Sequence, residues 1–221
     1  MRSKRVQPIL VLLFITTLSV VTACQTSPPP STVTSKGKPL GGHPTFTQPQ
    51  LGETKCSIEA DMLVLPFEEA ILEAYLVAKL NIEQALEELD SPTHKTLYEA
   101  SVLNVVKGDK ELTTIHVLQA GNSKCSFNDN PLFMPVEQYY LILNKASGNN
   151  PVERFYIQGE ETGMYKVLED GYIVKLAHRD SYLSDIIDTT LTSELQANYD
   201  EPIMVFTEQQ FMDKVIQLLD E

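Results

Sequence analysis

The chain has 221 residues, 43% of them hydrophobic, with 30 acidic and 17 basic side chains, three cysteines and a net charge of −13. So acidic a chain lacks the basic patches that nucleic acid requires, and charge alone does not draw it to an anionic lipid surface. The length allows one domain with a real core, after whatever the chain spends on targeting.

The first segment has a targeting pattern. Arg2, Lys4 and Arg5 open it, and no acid precedes Glu53. Ile9 to Val21 is then mostly Ile, Leu, Val and Phe, broken by Thr and Ser. A basic start, a short apolar run and a small-residue step make residues 1–23 an expected secretory signal peptide. The run is too short to span a bilayer, which takes about 20 apolar residues. Val21-Thr22-Ala23-Cys24 resembles the lipobox of bacterial lipoproteins, a [LVI]-[AST]-[GA]-Cys pattern. The resemblance implies that the Cys24 thiol takes a diacylglyceryl group and that cleavage then leaves Cys24 as the first residue. The two acyl chains of that group, of the palmitate type, would hold the protein stably, since one chain binds only marginally and each buried CH₂ contributes about 0.8 kcal/mol. The alternative leaves Cys24 as an ordinary small residue at the end of a signal peptide.

Gln25 to Thr54 follows, with six Pro, six Thr, four Gly and three Ser in 30 residues. Its large apolar residues are Val33, Leu40, Phe46 and Leu51. Such a segment cannot bury enough surface to offset its chain entropy, so residues 24–54 are expected to be the lipidated Cys24 and a tether. The tether would reach roughly 30 Å. Because the first 23 residues hold three bases and no acid, the remainder carries −16. That balance keeps a protein soluble and suits a cationic partner less often.

Cys56 and Cys125 remain. Outside the cytoplasm they can be oxidised, and a bond between them would close a loop worth roughly 4 kcal/mol in chain entropy. The other options are two buried thiols or a metal or catalytic role. A cysteine pair with no second pair and no nearby His is a poor zinc site, and His43, His94, His116 and His178 are scattered.

Along the folded part, Pro66 followed by Glu68, Glu69 and good helix formers reads as a helix start. Beyond it the pattern is ambiguous. Leu76, Ala78, Leu80 and Ile82 alternate like a strand, while Leu72, Leu76, Lys79, Glu83 and Leu86 share a helical stripe. Glu83 to Asp90 has helical composition, and Ser91-Pro92 ends it. Leu97 to Val106 reads as a strand with Tyr98, Ala100, Val102 and Val106 on one side. Lys107 to Lys110 is a turn, Leu112 to Leu118 a strand and Gly121 to Lys124 another turn. Tyr139 to Leu143 is a short apolar run, expected of a strand buried on both faces. Asn144 to Pro151 reads as a loop. Phe155 to Ile157, Met164 to Leu168 and Tyr172 to Leu176 are further strands, with Asp170-Gly171 a hairpin turn. Ser184 to Asn198 reads as helical or irregular, and Pro202 to Phe206 as a strand. Thr207 and Gln210 then form a capping box for a helix that buries Phe211, Val215 and Leu218, with Met212, Ile216 and Leu219 beside them.

Read together, FEEAILEAYLVAKLNI, LYEASVLNVVKGDKELTTIHVLQAG, Cys125 and EQYYLIL resemble a bacterial tissue-inhibitor-of-metalloproteinases-like (netrin-like) domain. The matching features are Val105-Val106-Lys107-Gly108, Val117 to Cys125, and Tyr139 to Leu143, over about Cys56 to Leu176. The resemblance implies an OB-type five-stranded barrel, a short helix from Phe67 to Ala74 and a strand from Tyr75 to Ile82. A Cys56–Cys125 bond would match one of that family's several bridges. In the animal inhibitors the first residue is a cysteine whose free amino group binds the target's zinc. Cys56 lies inside the chain, its nitrogen is a peptide amide, and protease inhibition does not carry over.

The expected fold is therefore mainly β with helical additions, an α+β chain with a small OB-like antiparallel barrel over 55–180. A C-terminal helical extension, 181–221, would pack on it. The expected role is a non-catalytic binding module displayed by a lipoprotein, lipid-anchored through Cys24 on the extracytoplasmic face of the cell membrane. It needs no metal or cofactor, has no nucleic-acid partner, and engages at most a protein partner in the envelope. One alternative is an envelope enzyme built on Glu160-Glu161, Asp185 and Asp188, or His178 and Asp180. These pairs read more simply as solvated carboxylates and a surface turn. The other is an inhibitor-like protein docking through the loop Ser126 to Met134. The simpler account of its Phe127, Leu132, Phe133 and Met134 is that they cover one end of the barrel.

Overall fold

The computed structural model of the chain describes residues 56–61, 64–148, 151–177 and 179–220. The expected signal peptide, the expected lipidation site Cys24 and the expected tether to residue 54 lie outside the described residues, as does His178. The described part is mainly β, with 41% strand, a closed five-stranded barrel and three α-helices including a C-terminal one.

The elements run β1 (Cys56–Ile58), α1 (Phe67–Glu73), β2 (Leu76–Leu89), β3 (Lys95–Lys107), β4 (Thr114–Ala120), β5 (Cys125–Phe127) and β6 (Gln138–Lys145). Then come β7 (Arg154–Ile157), β8 (Met164–Val167), β9 (Tyr172–Lys175), α2 (Thr189–Leu195), β10 (Met204–Thr207) and α3 (Glu208–Asp220). The barrel closes through the pairings β6-β2-β3-β4-β7-β6. All of these are antiparallel except β4 with β7. From β6 a second sheet continues outward through β8, β9 and β10.

β6 sits where the two sheets fork. One edge pairs with β2 along Gln138 to Leu143. The other edge pairs with β8 from Gln138 to Leu141 and with β7 from Leu143 to Lys145. Both faces are buried, as the unbroken apolar run implies. Tyr139, Leu141 and Leu143 point into the barrel, where they meet Leu76, Leu80, Tyr98, Ile115 and Phe155. Tyr140 and Ile142 point outward into a second core with Phe67, Ile71, Tyr165, Phe206 and Phe211. Helices α1 and α3 roof this second core. α3 begins on the expected capping box, with the Gln210 amide donating to Thr207 Oγ1 (3.2 Å) and the Thr207 amide to Gln210 Oε1 (3.0 Å). It buries Phe211, Val215 and Leu218. α1 lacks a side-chain cap of its own beside Pro66; instead Asp180, far along the chain, accepts the Phe67 amide at 2.7 Å.

β1 and β5 have no counterpart in the sequence reading, β5 taking the first two residues of the expected loop Ser126 to Met134, and three further elements differ from it. β2 does not stop at Ile82. Glu83 to Leu89, helical by composition, continues the strand, because tertiary pairing overrides local propensity. Gln84 faces Glu99, Glu87 faces Leu97 and Leu89 faces Lys95. The pair is bent by four register shifts, between Val77 and Ala78, Lys79 and Leu80, Ile82 and Gln84, and Ala85 and Glu87. Such bulges add the twist that barrel closure needs. They also break the alternation in β3: Val102 and Val105 both pack on the barrel core, while Val106 turns to the outer core. The strict period that put Val106 beside Val102 fails there. Finally, the segment from 181 supplies more than a helical extension. β10 pairs residue for residue with β9, from Met204 opposite Lys175 to Thr207 opposite Tyr172.

Between β7 and β8 the chain must leave one neighbour of β6 and join the next position along the same edge. It does so in a short 3-10 turn, Glu160–Gly163. A Cβ built on Gly163 would lie 2.2 Å from the Gln158 carbonyl oxygen and 3.2 Å from Ile157 Cγ2. Backbone has nowhere to retreat at that distance. Gly163→Ala is expected to lower the unfolding free energy by about 2–3 kcal/mol, the upper range for overpacking a close-packed site. Urea unfolding of the two proteins measures it, and an unchanged midpoint would contradict the packing.

Candidate functional site

One end of the barrel gathers polar side chains from three distant segments. β1 lies parallel to β5, with Cys56 opposite Cys125, and the two sulfurs are bonded. The β2–β3 connection brings Asp90 and His94 to the same corner. Asn122 ties the two segments together. Its amide nitrogen donates to Asp90 Oδ1 (2.9 Å) and to the Leu89 carbonyl (3.2 Å). Its Oδ1 accepts the amides of Lys124 (3.0 Å) and Cys125 (3.1 Å). The Gly121 amide donates to the His94 carbonyl at 2.9 Å, so the turn that presents Cys125 and the loop that presents His94 are held by shared bonds. Asp90 Oδ1 lies 3.3 Å from His94 Nδ1, and Lys124 Nζ donates to Asp90 Oδ2 at 2.7 Å. That bond from Lys124, with the one from Asn122, holds the Asp90 carboxyl below the usual carboxylate range. A ring nitrogen of His94 and the sulfurs of Cys56 and Cys125 all lie within 4.8 Å of one another. The scatter of histidines along the chain hid this: His94 is 31 residues from Cys125 in sequence and adjacent to it in space.

The acidic pair Glu160 and Glu161, expected to be solvated, is buried, with exposures of 8% and 9%. Tight turning around Gly159 and Gly163 folds both side chains under the chain. Burial pushes Glu160 up to about 7, against the Ala120 amide, which donates to its Oε2 at 3.1 Å, and the attraction of Lys95; Glu161 adds to the rise. Glu161 Oε2 finds no hydrogen-bond partner among the described residues. Lys175 is also buried. Burial pulls it down to about 8, while Asp180 and Glu161 oppose the shift. Its Nζ donates to the Ala177 carbonyl (2.9 Å), which makes it a brace for the chain after β9.

The remaining candidates do not converge. Asp188 caps α2 through the Leu191 amide (2.9 Å). Asp185 pairs with Lys214 at 2.9 Å. Asp180 is spent on the amides of Phe67 and Tyr182. In the loop Ser126 to Met134, Phe133 plugs the barrel, its ring centroid 5.3 Å from that of Tyr98 and 4.7 Å from that of Tyr139. That is the end-covering role, and it removes the loop's largest buried anchor from any docking surface. A cleft beside β6 and β8 is lined by Lys79, Glu137, Lys166 and Glu208, but these are paired with each other: Lys79 with Glu208 (2.8 Å) and Lys166 with Glu137. Burial works to raise Glu208, and the hydrogen bonds from Lys79 and Tyr140 outweigh it. On the outer barrel wall His116 stands opposite both Glu99 and Arg154. Burial, with the nearby Arg154 charge, lowers its affinity for a proton against the pull of Glu99.

No protein-family model matches the chain, and no curated protein matches its sequence.

The buried carboxyl sets a pH dependence. Below about pH 4.5 Glu160 is protonated whether the chain is folded or not. Between there and about 7 the unfolded chain gives up the proton and the folded one keeps it, so stability from this group is lost as pH rises through that window. The shift corresponds to about 3 kcal/mol. Glu160→Gln keeps an oxygen for the Ala120 amide and removes the charge. Its stability relative to the parent is expected to rise by about 3 kcal/mol between pH 4.5 and pH 8 in paired denaturant titrations. A difference that stays flat with pH would contradict the buried acid.

Proposed function

We propose that the chain is a lipid-anchored lipoprotein that holds a non-catalytic OB-like module off the outer face of the cell membrane. The observation that carries the reading is Val21-Thr22-Ala23-Cys24, placed after a basic start and a short apolar run and before a Pro- and Thr-rich stretch. The bond between Cys56 and Cys125 supports an oxidising compartment, where such bonds persist. The module is read as an OB barrel because β2, β3, β4, β6 and β7 take the order 1-2-3-5-4-1 with strands three and five parallel. Its resemblance to the netrin-like domains belongs to this proposal too. The non-catalytic part rests on the uses found for the ionisable candidates: Asp180 and Asp188 cap backbone, Asp185 pairs with Lys214, and Lys79, Glu137, Lys166 and Glu208 form two ion pairs. A module built this way presents its surface to another envelope protein and does no chemistry on it.

Expression of the whole chain in a bacterium tests the anchor. The mature protein is expected in the membrane fraction, beginning at Cys24 and carrying diacylglycerol and an acyl chain by mass spectrometry. Cys24→Ser is expected to remain uncleaved at that site and to lose the added lipid mass. A parent protein with its leader intact, or with an unmodified thiol at position 24, would overturn the reading.

A further inference from the structure

We infer that Cys56, Cys125 and His94 form a redox-gated site for a soft divalent cation of the zinc class, closed while the two sulfurs are bonded and open when they are reduced. The inference does not depend on the anchor proposed above.

The donor set fits the ion. Zinc takes thiolates at about 2.3 Å and imidazole nitrogen at about 2.0–2.1 Å in a tetrahedron, which puts neighbouring donor atoms about 3.5–3.8 Å apart. The His94 nitrogen is already within 4.8 Å of both sulfurs. The sulfurs must part, from bonding contact to about 3.7 Å, and the imidazole must close in by up to about 1 Å. The construction allows that motion on one side only. Cys125 is fully buried, and Asn122 fixes its amide. Cys56 is half-buried on a three-residue strand held by β5 and, beyond it, by the Asn128 side chain, which bonds the Ala60 amide and carbonyl. The imidazole is fixed by polar neighbours, as metal-ligating histidines are: its Nδ1 lies 3.3 Å from Asp90 Oδ1 and 3.2 Å from the side-chain amide nitrogen of Asn122, and Asp90 is itself held by Asn122 and Lys124. Three protein ligands leave the fourth position to water or an incoming group.

The two states exclude each other, because the bonded sulfurs have no thiolate to give. Reduction by a dithiol breaks the S–S bond with two electrons and two protons, leaving two protein thiols and the reductant's disulfide. Zinc then displaces both thiol protons and binds the two thiolates and neutral His94. Once the ion leaves, thiol–disulfide exchange with a disulfide oxidant restores the bond: the protein sulfurs give up two electrons and two protons, and the oxidant leaves as a dithiol.

The test uses the full chain in detergent with Cys24→Ser, so that the only thiols are Cys56 and Cys125. After reduction with a phosphine under argon, cobalt(II) is titrated in as the spectroscopic probe. One equivalent is expected to bind, with a sulfur-to-cobalt charge-transfer band and the intense visible bands of tetrahedral cobalt, all displaced by zinc. The oxidised protein is expected to show none of these bands. His94→Ala is expected to weaken binding at least tenfold and Asp90→Asn several-fold, in keeping with the cost of removing ligand and supporting groups. Zinc is expected to slow re-formation of the disulfide by oxidant. Near-ultraviolet circular dichroism follows the fold. If reduction unfolds the chain, the metal must bring the native signal back. The inference is overturned if the reduced protein gives no charge-transfer band, if oxidised protein binds cobalt equally, if His94→Ala leaves affinity unchanged, or if a chain unfolded by reduction stays unfolded with metal.

Discussion

The packing of β6 is the constraint on which the other contacts depend. Five consecutive side chains, Tyr139 to Leu143, are buried, and successive ones serve different cores. Each large apolar side chain buried this way contributes roughly 1.5–3 kcal/mol. Both backbone edges are bonded too, to β2 on one side and to β8 and β7 in succession on the other. The polar ends of its tyrosines are met: Tyr139 donates to Glu137 (2.9 Å) and Tyr140 to Glu208 (2.7 Å). Glu208 also takes Lys79 from β2, so the first turn of α3 is tied to the barrel wall by one carboxylate.

From that strand the rest follows. A barrel needs its last strand to pair with the first, and a second sheet needs an open edge. β6 supplies both by giving half of one edge to each. The abrupt handover forces the turn at Glu160–Gly163, and with it the glycine pressed on a carbonyl and the acids turned inward. The roof of α1 and α3 exists because Tyr140, Ile142 and Tyr165 would otherwise face water. Phe67 anchors it, with ring centroids 5.8–6.0 Å from Phe211, Tyr182 and Tyr165. The cysteine corner lies at the turn between β2 and β3, where β2 has run past its pairing with β6 while β3 stays paired with β4, and the turn carries Asp90 and His94 to β1 and β5.

Where burial made a simple pattern, the sequence was readable. The unbroken YYLIL run gave a strand with two buried faces, Asp170-Gly171 gave the β8–β9 hairpin, and Thr207 with Gln210 gave the start of α3. Where burial was partial or tertiary, it was not. Glu83 to Leu89 is polar because that ribbon is solvated, and nothing in its composition records that Lys95 to Glu99 pairs with it. The bulges around Leu103 and Val106 break the period that would have told inside from outside. The burial of Glu160 comes from a turn, which has no period at all. His94, Asp90 and Asn122 meet the cysteines only because two loops share hydrogen bonds, a fact with no local signature.

Native-state hydrogen exchange tests the shared wall most directly. If β6 carries both cores, the amides of Tyr140, Leu141 and Ile142 exchange only through global unfolding, and amides in α3 and in the barrel strand β3 reach that same limiting free energy as denaturant is added. If α1 and α3 instead lose protection in a separate, lower-energy opening while the barrel amides stay protected, the two cores are independent and β6 is not what joins them.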